Sequence, residues 1–350
     1  MARFSEVLKI INGKNQTKVE NPNGKYPIYG SGGIMGYADD YICNSDTVII
    51  GRKGSINKPI FVETPFWNVD TAFGLEANRE KLIPKYLFYF CQNFDFEKLN
   101  TTVTIPSLTK ANLLDVEIPL VSIKEQEKIV NRLEKVDELI SCRKEQLSKL
   151  DELVKARFVE MFGDRWSNNM KWKQLSLKEC ADFYNGKAHE QVVDENGEYI
   201  LVTSKCIASD QHEYRKTNNL LFPLLQGDIC MVMSDVPNGR ALAKCMIINQ
   251  NNKYTLNQRI CCLRNYTINP TFFLHVLNRH EYLLSFDDGD SQTNLRKDDL
   301  LACPVILPPV ELQEEFAAFV ELTENTKAEV QKSLDELEIL KKSLMQKYFE

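Results

Sequence analysis

Four histidines (His189, His212, His275, His280) and ten cysteines are the residues of this chain best suited to metal binding or nucleophilic catalysis. Neither set has the spacing that chemistry needs. A structural zinc site requires four converging ligands, normally in closely spaced pairs, but the cysteines are scattered and Cys261-Cys262 is their only close pair. Cys91, Cys230 and Cys262 lie in apolar runs, where a free thiol packs as a small core residue. Such usage fits a reducing cytoplasm. His275 and His280, read as lying on one helix, are five apart, whereas ligands sharing a helical face recur at three or four. Gly13-Lys14 and Gly186-Lys187 lack the upstream glycine and the following Ser/Thr of a phosphate-cradling loop. No catalytic constellation assembles, so the chain is expected to be non-catalytic, without a metal or cofactor of its own.

Asn269-Pro270-Thr271-Phe272 is one proline short of the Asn/Asp-Pro-Pro-Tyr/Phe loop that amino-methyltransferases set against a flipped base, and no glycine-rich cofactor loop precedes it. It reads as a helix start, opened by Asn269-Pro270.

The elements that would position any site are dominated by one stretch, 121–162, which contains neither Gly nor Pro. Its apolar residues recur at heptad spacing: Leu133, Ile140, Leu147, Val154 and Met161 in one set, Ile129, Val136 and Leu150 in the other. This predicts a helix about 60 Å long at 1.5 Å per residue, with a seam for a partner helix. Arg143 and Arg157 interrupt the seam. The partner is in the same chain. At a shift of 187, Leu108, Lys110, Gln126, Leu147, Leu150 and Phe162 become Leu295, Lys297, Gln313, Leu334, Leu337 and Phe349. The second run carries Phe316, Val320, Val330, Leu334, Leu337, Leu344 and Tyr348, interrupted by Lys327 and Lys341. An antiparallel pair is the simplest arrangement.

The repeat extends upstream. Asn12-Gly13-Lys14 and Asn23-Gly24 match Asn185-Gly186-Lys187 and Asn196-Gly197 at a shift of 173. A period this long marks a duplicated unit rather than a solenoid. Each unit is a β-rich globular domain followed by a long helix. In the first, Tyr26 to Gly30 and Asp46 to Gly51 read as strands, and Pro84 opens a helix. In the second, the segment from Leu225 to Met233 parallels the Asp46 strand, and Asn257-Gln258-Arg259-Ile260 takes the place of Asp70-Thr71-Ala72.

The net charge is −6. Basic and acidic residues balance at 13 and 13 over 1–120 and at 15 and 16 over 166–308, whereas 309–350 holds five against ten. A chain gripping DNA by itself would usually be basic. This one either does not bind nucleic acid or borrows cations from a partner. No apolar run is long enough to span a bilayer, and no signal segment is expected at Met1.

With the duplication, the paired helices and the missing chemistry, the chain resembles the specificity subunit of type I restriction-modification systems. The resemblance lies in YPIYGSGG, DTVIIGRKGS, FWNVDTAF, KYLFYF and TIPSL, in EIPLVSIKEQEKIVNRLEKVDELI with LVKARFVEMFGD, and in the echo VILPPVELQEEF with LMQKYF. It implies an α+β fold with an internal pseudo-two-fold repeat, in which two β-rich target-recognition domains (1–120 and 164–309) are separated and joined by two long antiparallel coiled-coil helices (121–163 and 310–350). It further implies an asymmetric bipartite site on double-stranded DNA and docking of two adenine methyltransferase subunits. A restriction motor-nuclease subunit would attach through these, and S-adenosylmethionine, ATP and Mg would reside on the partners only. Base readout calls for Arg, Lys, Asn, Gln and Ser on loops that reach the major groove. The candidates are Ser31, Arg52, Lys53 and Ser107 in the first domain. In the second they are Ser204, Lys205, Asn238, Arg240, Gln258, Arg259, Gln292 and Asn294. Ile129, Leu133, Val136, Ile140, Leu147, Leu150 and Val154 would pack against Phe316, Val320, Val330, Leu334, Leu337 and Leu344. Arg143, Arg157, Lys327 and Lys341 are either contacts to other subunits or long side chains that snorkel to solvent from the edge of the pair. Two alternatives stay open: a protein adaptor that binds no DNA, and the specificity subunit of a related system with fused nuclease and methyltransferase.

Overall fold

The computed structural model describes residues 1–53, 55–99 and 107–350; Gly54 and the Thr104-Ile105-Pro106 part of TIPSL lie outside them. By its contacts the chain forms two units, 1–146 with 330–350, and 147–329.

The glycines of the repeated Asn-Gly pairs show why the duplication is visible in sequence. A Cβ on Gly13 would overlap the carbonyl oxygen of Val69, and one on Gly186 would overlap that of Asn257. Gly24 and Gly197 lie equally close to the backbone of Ala38 and Thr217. Only glycine lets two main chains approach this closely. Lys14 N donates to Asn68 O at 2.8 Å, and Lys187 N donates to Leu256 O at 3.0 Å. Gly186→Ala should therefore force the 186–187 and 256–260 segments apart. We expect a fall in melting temperature of the second unit and faster amide exchange at Lys187; an unchanged exchange pattern would refute this role.

In the first unit an antiparallel four-stranded sheet runs in the order Leu8–Asn12, Ala72–Ala77, Thr47–Gly51, Ile60–Val62. Thr47–Gly51 is buried along its whole length, as a central strand of uninterrupted apolar character should be. A second sheet has the order Gly33–Ala38, Tyr26–Gly30, Trp67–Asn68, its last pair parallel. Ala2–Arg3 pairs with Glu117–Ile118 to close the domain.

The second unit repeats this plan strand for strand. Its four-stranded sheet runs Asp182–Asn185, Ile260–Arg264, Ile229–Val232, Cys245–Ile247, and its three-stranded sheet Arg215–Thr217, Tyr199–Val202, Tyr254–Leu256. Lys173–Ser176 pairs with Pro304–Leu307. The helix expected at Asn269-Pro270 is Pro270–Leu277, and Asn269 caps it by accepting from the backbone N–H of Thr271 and Phe272. That helix stops before His280, so His275 and His280 do not share a helix. His280 instead caps the next one, Glu281–Leu284, where its ring accepts from Tyr282 N.

The long helices are Ile123–Phe162 and Val310–Phe349, and each unit takes part of both. Within the first unit Arg132 meets Tyr348, Asp137 meets Lys341 at 2.7 Å and Lys144 meets Glu338 at 3.0 Å. Partner numbers fall as the first helix advances, so the pair is antiparallel. The same holds in the second unit, where Asp151 pairs with Lys327 at 2.7 Å and Arg157 with Glu315 at 2.8 Å. Exposed ion pairs of this kind set register more than they add stability.

The seam does more than join helices. Ile129, Val130 and Leu133 are buried in one core with Tyr86, Leu87 and Phe90 of the first domain and with Met345 and Phe349. Val154, Phe158, Phe162, Phe316 and Val320 share a core with Phe272 and Phe273 of the second domain. Val136, Val330 and Leu334 are buried as well, whereas Ile140, Leu147, Leu150, Leu337 and Leu344 are only half-buried. Helix ends therefore dock on domains, and the middle carries the lighter packing. Of the interrupting cations, Lys327, Lys341 and Arg157 are taken up by the cross-helix pairs above, and Arg143 hydrogen-bonds Gln146. Each is thus held by a partner within its own unit.

Gln126 and Gln313, matched at the shift of 187, have a common task. Gln126 accepts from Ile83 N at 2.9 Å and donates to the carbonyls of Lys81 and Val121. Gln313 accepts from Asn269 N and donates to Pro308 O. Each buried amide thus satisfies the backbone at the start of its domain's helix. Gln126→Leu should destabilise the first unit by about 1–3 kcal/mol, because buried backbone groups lose their partners. Denaturant unfolding measures this, and a loss well below 1 kcal/mol would contradict it.

Candidate nucleic-acid interface

The reading candidates of the first unit come together on a small ladder beyond the end of strand Thr47–Gly51. Arg52 N donates to Thr71 O at 2.8 Å, and Leu108 N donates to Arg52 O at 3.0 Å. Lys53 bridges to Ser107. Ser31 reaches the same place from the neighbouring sheet, its Cβ 3.0 Å from where a Cβ on Gly51 would stand. The backbone bonds hold the ladder, so the exposed Arg52 and Lys53 side chains are left to the surface. The Arg52 guanidinium lies 5.8 Å from the centroid of the Phe73 ring, a cation–π contact.

The second unit builds the same ladder from different residues. Met233 N donates to Arg259 O at 3.1 Å, and Leu295 N donates to Met233 O at 2.8 Å. Ser234–Asp235 pairs with Thr293–Asn294, the counterpart of the Lys53 bridge to Ser107. Ser204 follows its strand as Ser31 follows its own. Arg52 thus corresponds to Met233, Thr71 to Arg259 and Ser107 to Asn294. Each face carries an arginine at its centre, contributed by opposite sides of one hydrogen bond.

The remaining candidates of the second unit divide in two. Ser204, Lys205 and Arg259 line a cleft of about 750 Å³ together with His212, Tyr214, Arg215 and Asn257. Lys205 is engaged by Glu213 at 2.5 Å. Gln258, exposed, occupies the turn beside Arg259. Asn238, at positive φ, donates to Gly289 O, and Gln292 donates to the Ser234 hydroxyl at 2.8 Å. These two amides shape the loop. Arg240 has an exposed side chain, and its carbonyl accepts from Arg279.

Sequence reading passed over Asp235, Tyr214 and Arg215. The Asp235 carboxylate accepts from the backbone N–H of Val236, Ala241 and Leu242, so the turn from Val236 to Arg240 winds round it. The Asp-x-x-Asn-Gly spacing was the available signal. Tyr214 and Arg215 lie just before and at the start of an edge strand, where nothing in the local pattern marks them.

Below this face, His280 is buried, with Arg165 close by and the carbonyls of His275, Val276 and Arg279 accepting from the Arg165 guanidinium. Desolvation pushes His280 down to about 4, from an unfolded value near 6.5. Its ring accepts from Tyr282 N, so protonation would remove the cap as well as bury a charge. Between these two values the unfolded chain binds a proton that the native unit does not, so stability rises with pH. Acidification from pH 7 to 4 should cost the second unit up to roughly 3 kcal/mol. His280→Asn keeps a capping acceptor and should flatten the pH dependence of unfolding; an unaltered profile would rule out His280 as the source.

Among the described residues no group of three or more His, Cys, Asp or Glu is arranged to hold a metal ion, and no helix is long and apolar enough to cross a membrane. No disulfide forms, and eight of the ten cysteines are buried.

A duplicated α+β fold, with a loop ladder at the same place in each half and segments of both long helices in each unit, defines the class: a chain of two repeated domains. Comparison with known proteins names the family. The model of the type I restriction modification DNA specificity domain matches residues 1–152 and 169–338, and the chain belongs to that family. It is 26% identical over 147 residues to a putative type I restriction enzyme specificity subunit of Haemophilus influenzae, a match covering 39% of this chain and 37% of that protein. It is 26% identical over 164 residues to a putative type I specificity subunit of Mycoplasma pneumoniae, covering 45% and 53% respectively. These matches thus span about a third to a half of the relatives' lengths. Among solved structures, the S subunit of a type I system from M. genitalium aligns over 100% of this chain and 95% of its own, with TM-score 0.58 and 18% identity. A chain from a structure describing complex assembly and conformational transition of a type I system aligns over 99% and 96%, with TM-score 0.60 and 18% identity. At these identities the likeness is one of fold.

Proposed function

We propose that this chain is the non-catalytic specificity subunit of a type I restriction-modification complex. In this reading each unit recognises one half of an asymmetric bipartite DNA site. The antiparallel helices fix the half-site separation and dock two adenine methyltransferase subunits, through which a motor-nuclease subunit attaches. S-adenosylmethionine, ATP and Mg belong to those partners, and the complex works in the cytoplasm.

The observation that carries the proposal is the placement of Arg52, Lys53 and Ser107, and of Arg259, Ser234 and Asn294, on equivalent ladders of a duplicated fold. Equivalent position with different side chains is what two heads reading different sequences require, since bases are told apart by the donors and acceptors presented to them. The near-balanced charge of both domains supports a division of labour in which partners supply much of the phosphate grip.

The test is methylome sequencing of cells expressing this chain with its methyltransferase. A new bipartite adenine-methylated motif is expected. The absence of any such motif would replace this reading with that of a protein adaptor.

A further inference from the structure

The hairpin beside the first ladder carries a feature that its counterpart lacks. Between strands Tyr26–Gly30 and Gly33–Ala38 the register is Ile28 with Gly36, then Tyr29 with Ile34, so Met35 is the extra residue of a β-bulge. A bulge breaks the strict alternation of side chains and re-aims them. Here it leaves two adjacent large apolar residues in solvent, Ile34 at 56% and Met35 at 63% exposure. Two adjacent large apolar side chains are thus presented to solvent at one tip, available to an apolar ligand group. The tip adjoins the ladder: Met35 Sδ is 2.7 Å from where a Cβ on Gly30 would stand, and Ser31, next in sequence, packs beside Gly51, the residue before Arg52. In the second unit the segment after the equivalent strand is instead the helix Ser204–Ala208, capped by Thr203 and burying Cys206 and Ile207.

We infer that Ile34 and Met35 are specificity-determining contacts of the first unit, reading the C5-methyl group of thymine beside the base engaged by Arg52. This rests on the proposed DNA reading and adds to it a ligand chemistry. In the major groove the thymine methyl is the one apolar feature that distinguishes a base pair, and an apolar side chain is what recognises it. The continuity of the tip with the Arg52 ladder favours DNA over a protein partner as its occupant. Glycines at 30, 32 and 33 keep the tip narrow, and Gly33 takes a φ of 119° that other residues rarely adopt.

The test uses the complete complex with its methyltransferase, on duplexes carrying the motif from methylome sequencing. The half-site disturbed by Arg52→Ala identifies the first unit's target. Replacing its thymines with uracil removes only the methyl groups. Wild type should bind about four-fold more weakly for each contacted methyl removed. The Ile34→Ser/Met35→Ser variant should bind the thymine duplex weakly and show no further loss on uracil, while Ile34→Val/Met35→Leu keeps the discrimination. Both pairs are exposed, so melting temperature should not move. Equal thymine-to-uracil losses in wild type and the serine variant, or no loss in wild type, overturn the inference while leaving the DNA reading intact. Loss of methyltransferase from the purified serine variant would assign the tip to a protein partner and overturn it too. A complex that yields no methylated motif overturns both.

Discussion

Phe316→Ala is expected to cost the second unit about 3–5 kcal/mol, the range for removing a fully buried aromatic side chain. Phe316 is completely buried, and its ring lies 5.5 Å from both Phe158 and Phe162 and 5.1 Å from His275. Phe162 in turn meets Phe272 edge-on at 4.7 Å. Two long-helix segments and the helix Pro270–Leu277 therefore share one aromatic cluster. Removing its middle ring leaves a cavity that three rigid elements cannot close together. With a domain's total stability near 5–15 kcal/mol, most of the margin would be lost. Phe316→Leu, which keeps much of the volume, should cost less than half as much. Calorimetry of the two variants reads the ranking directly. A melting temperature for Phe316→Ala equal to wild type would show that the helices do not depend on this cluster to hold the domain.

Arg52→Ala should weaken recognition of one half-site by about 5- to 150-fold, the equivalent of losing one bidentate guanidinium contact to guanine. The fold should be untouched, because the backbone of Arg52 is held by Thr71 and Leu108, and among the described residues its side chain meets only the face of Phe73. Arg259→Ala is its counterpart for the other half-site. Methylation of duplexes altered in one half-site at a time separates the two. If either variant lost both half-sites equally, the residue would be acting through phosphate grip. If it failed to assemble with its methyltransferase, the ladder would be a protein-docking surface instead.

Much of this architecture could be read from residue spacing because it rests on local rules. Heptad periodicity depends only on helix geometry, so both 40-residue helices and their seams were visible, and the antiparallel pairing followed from the second copy. The Asn-Gly pairs marked the duplication because main chains that nearly touch admit no side chain at Gly13 or Gly186. Asn269 at a helix start and the buried strand Thr47–Gly51 were likewise local. The partners of the cations in the seams are not local in this sense. Arg157, Lys327 and Lys341 break the apolar pattern along one helix, but their carboxylate partners across the pair cannot be assigned before the register is known.

What the sequence by itself determined, then, was the duplicated plan, the helices, and the residue types available on the loops. Only the tertiary structure decided which of those residues stand together. The meeting of Arg52 with Thr71 and Leu108, and of Met233 with Arg259 and Leu295, joins segments far apart in the chain through single backbone hydrogen bonds, and no spacing rule encodes such a crossing. The bulge at Met35 is of the same kind. One unpaired residue turns two apolar side chains outward, and that depends on how Tyr26–Gly30 registers with Gly33–Ala38 rather than on which residues the hairpin contains.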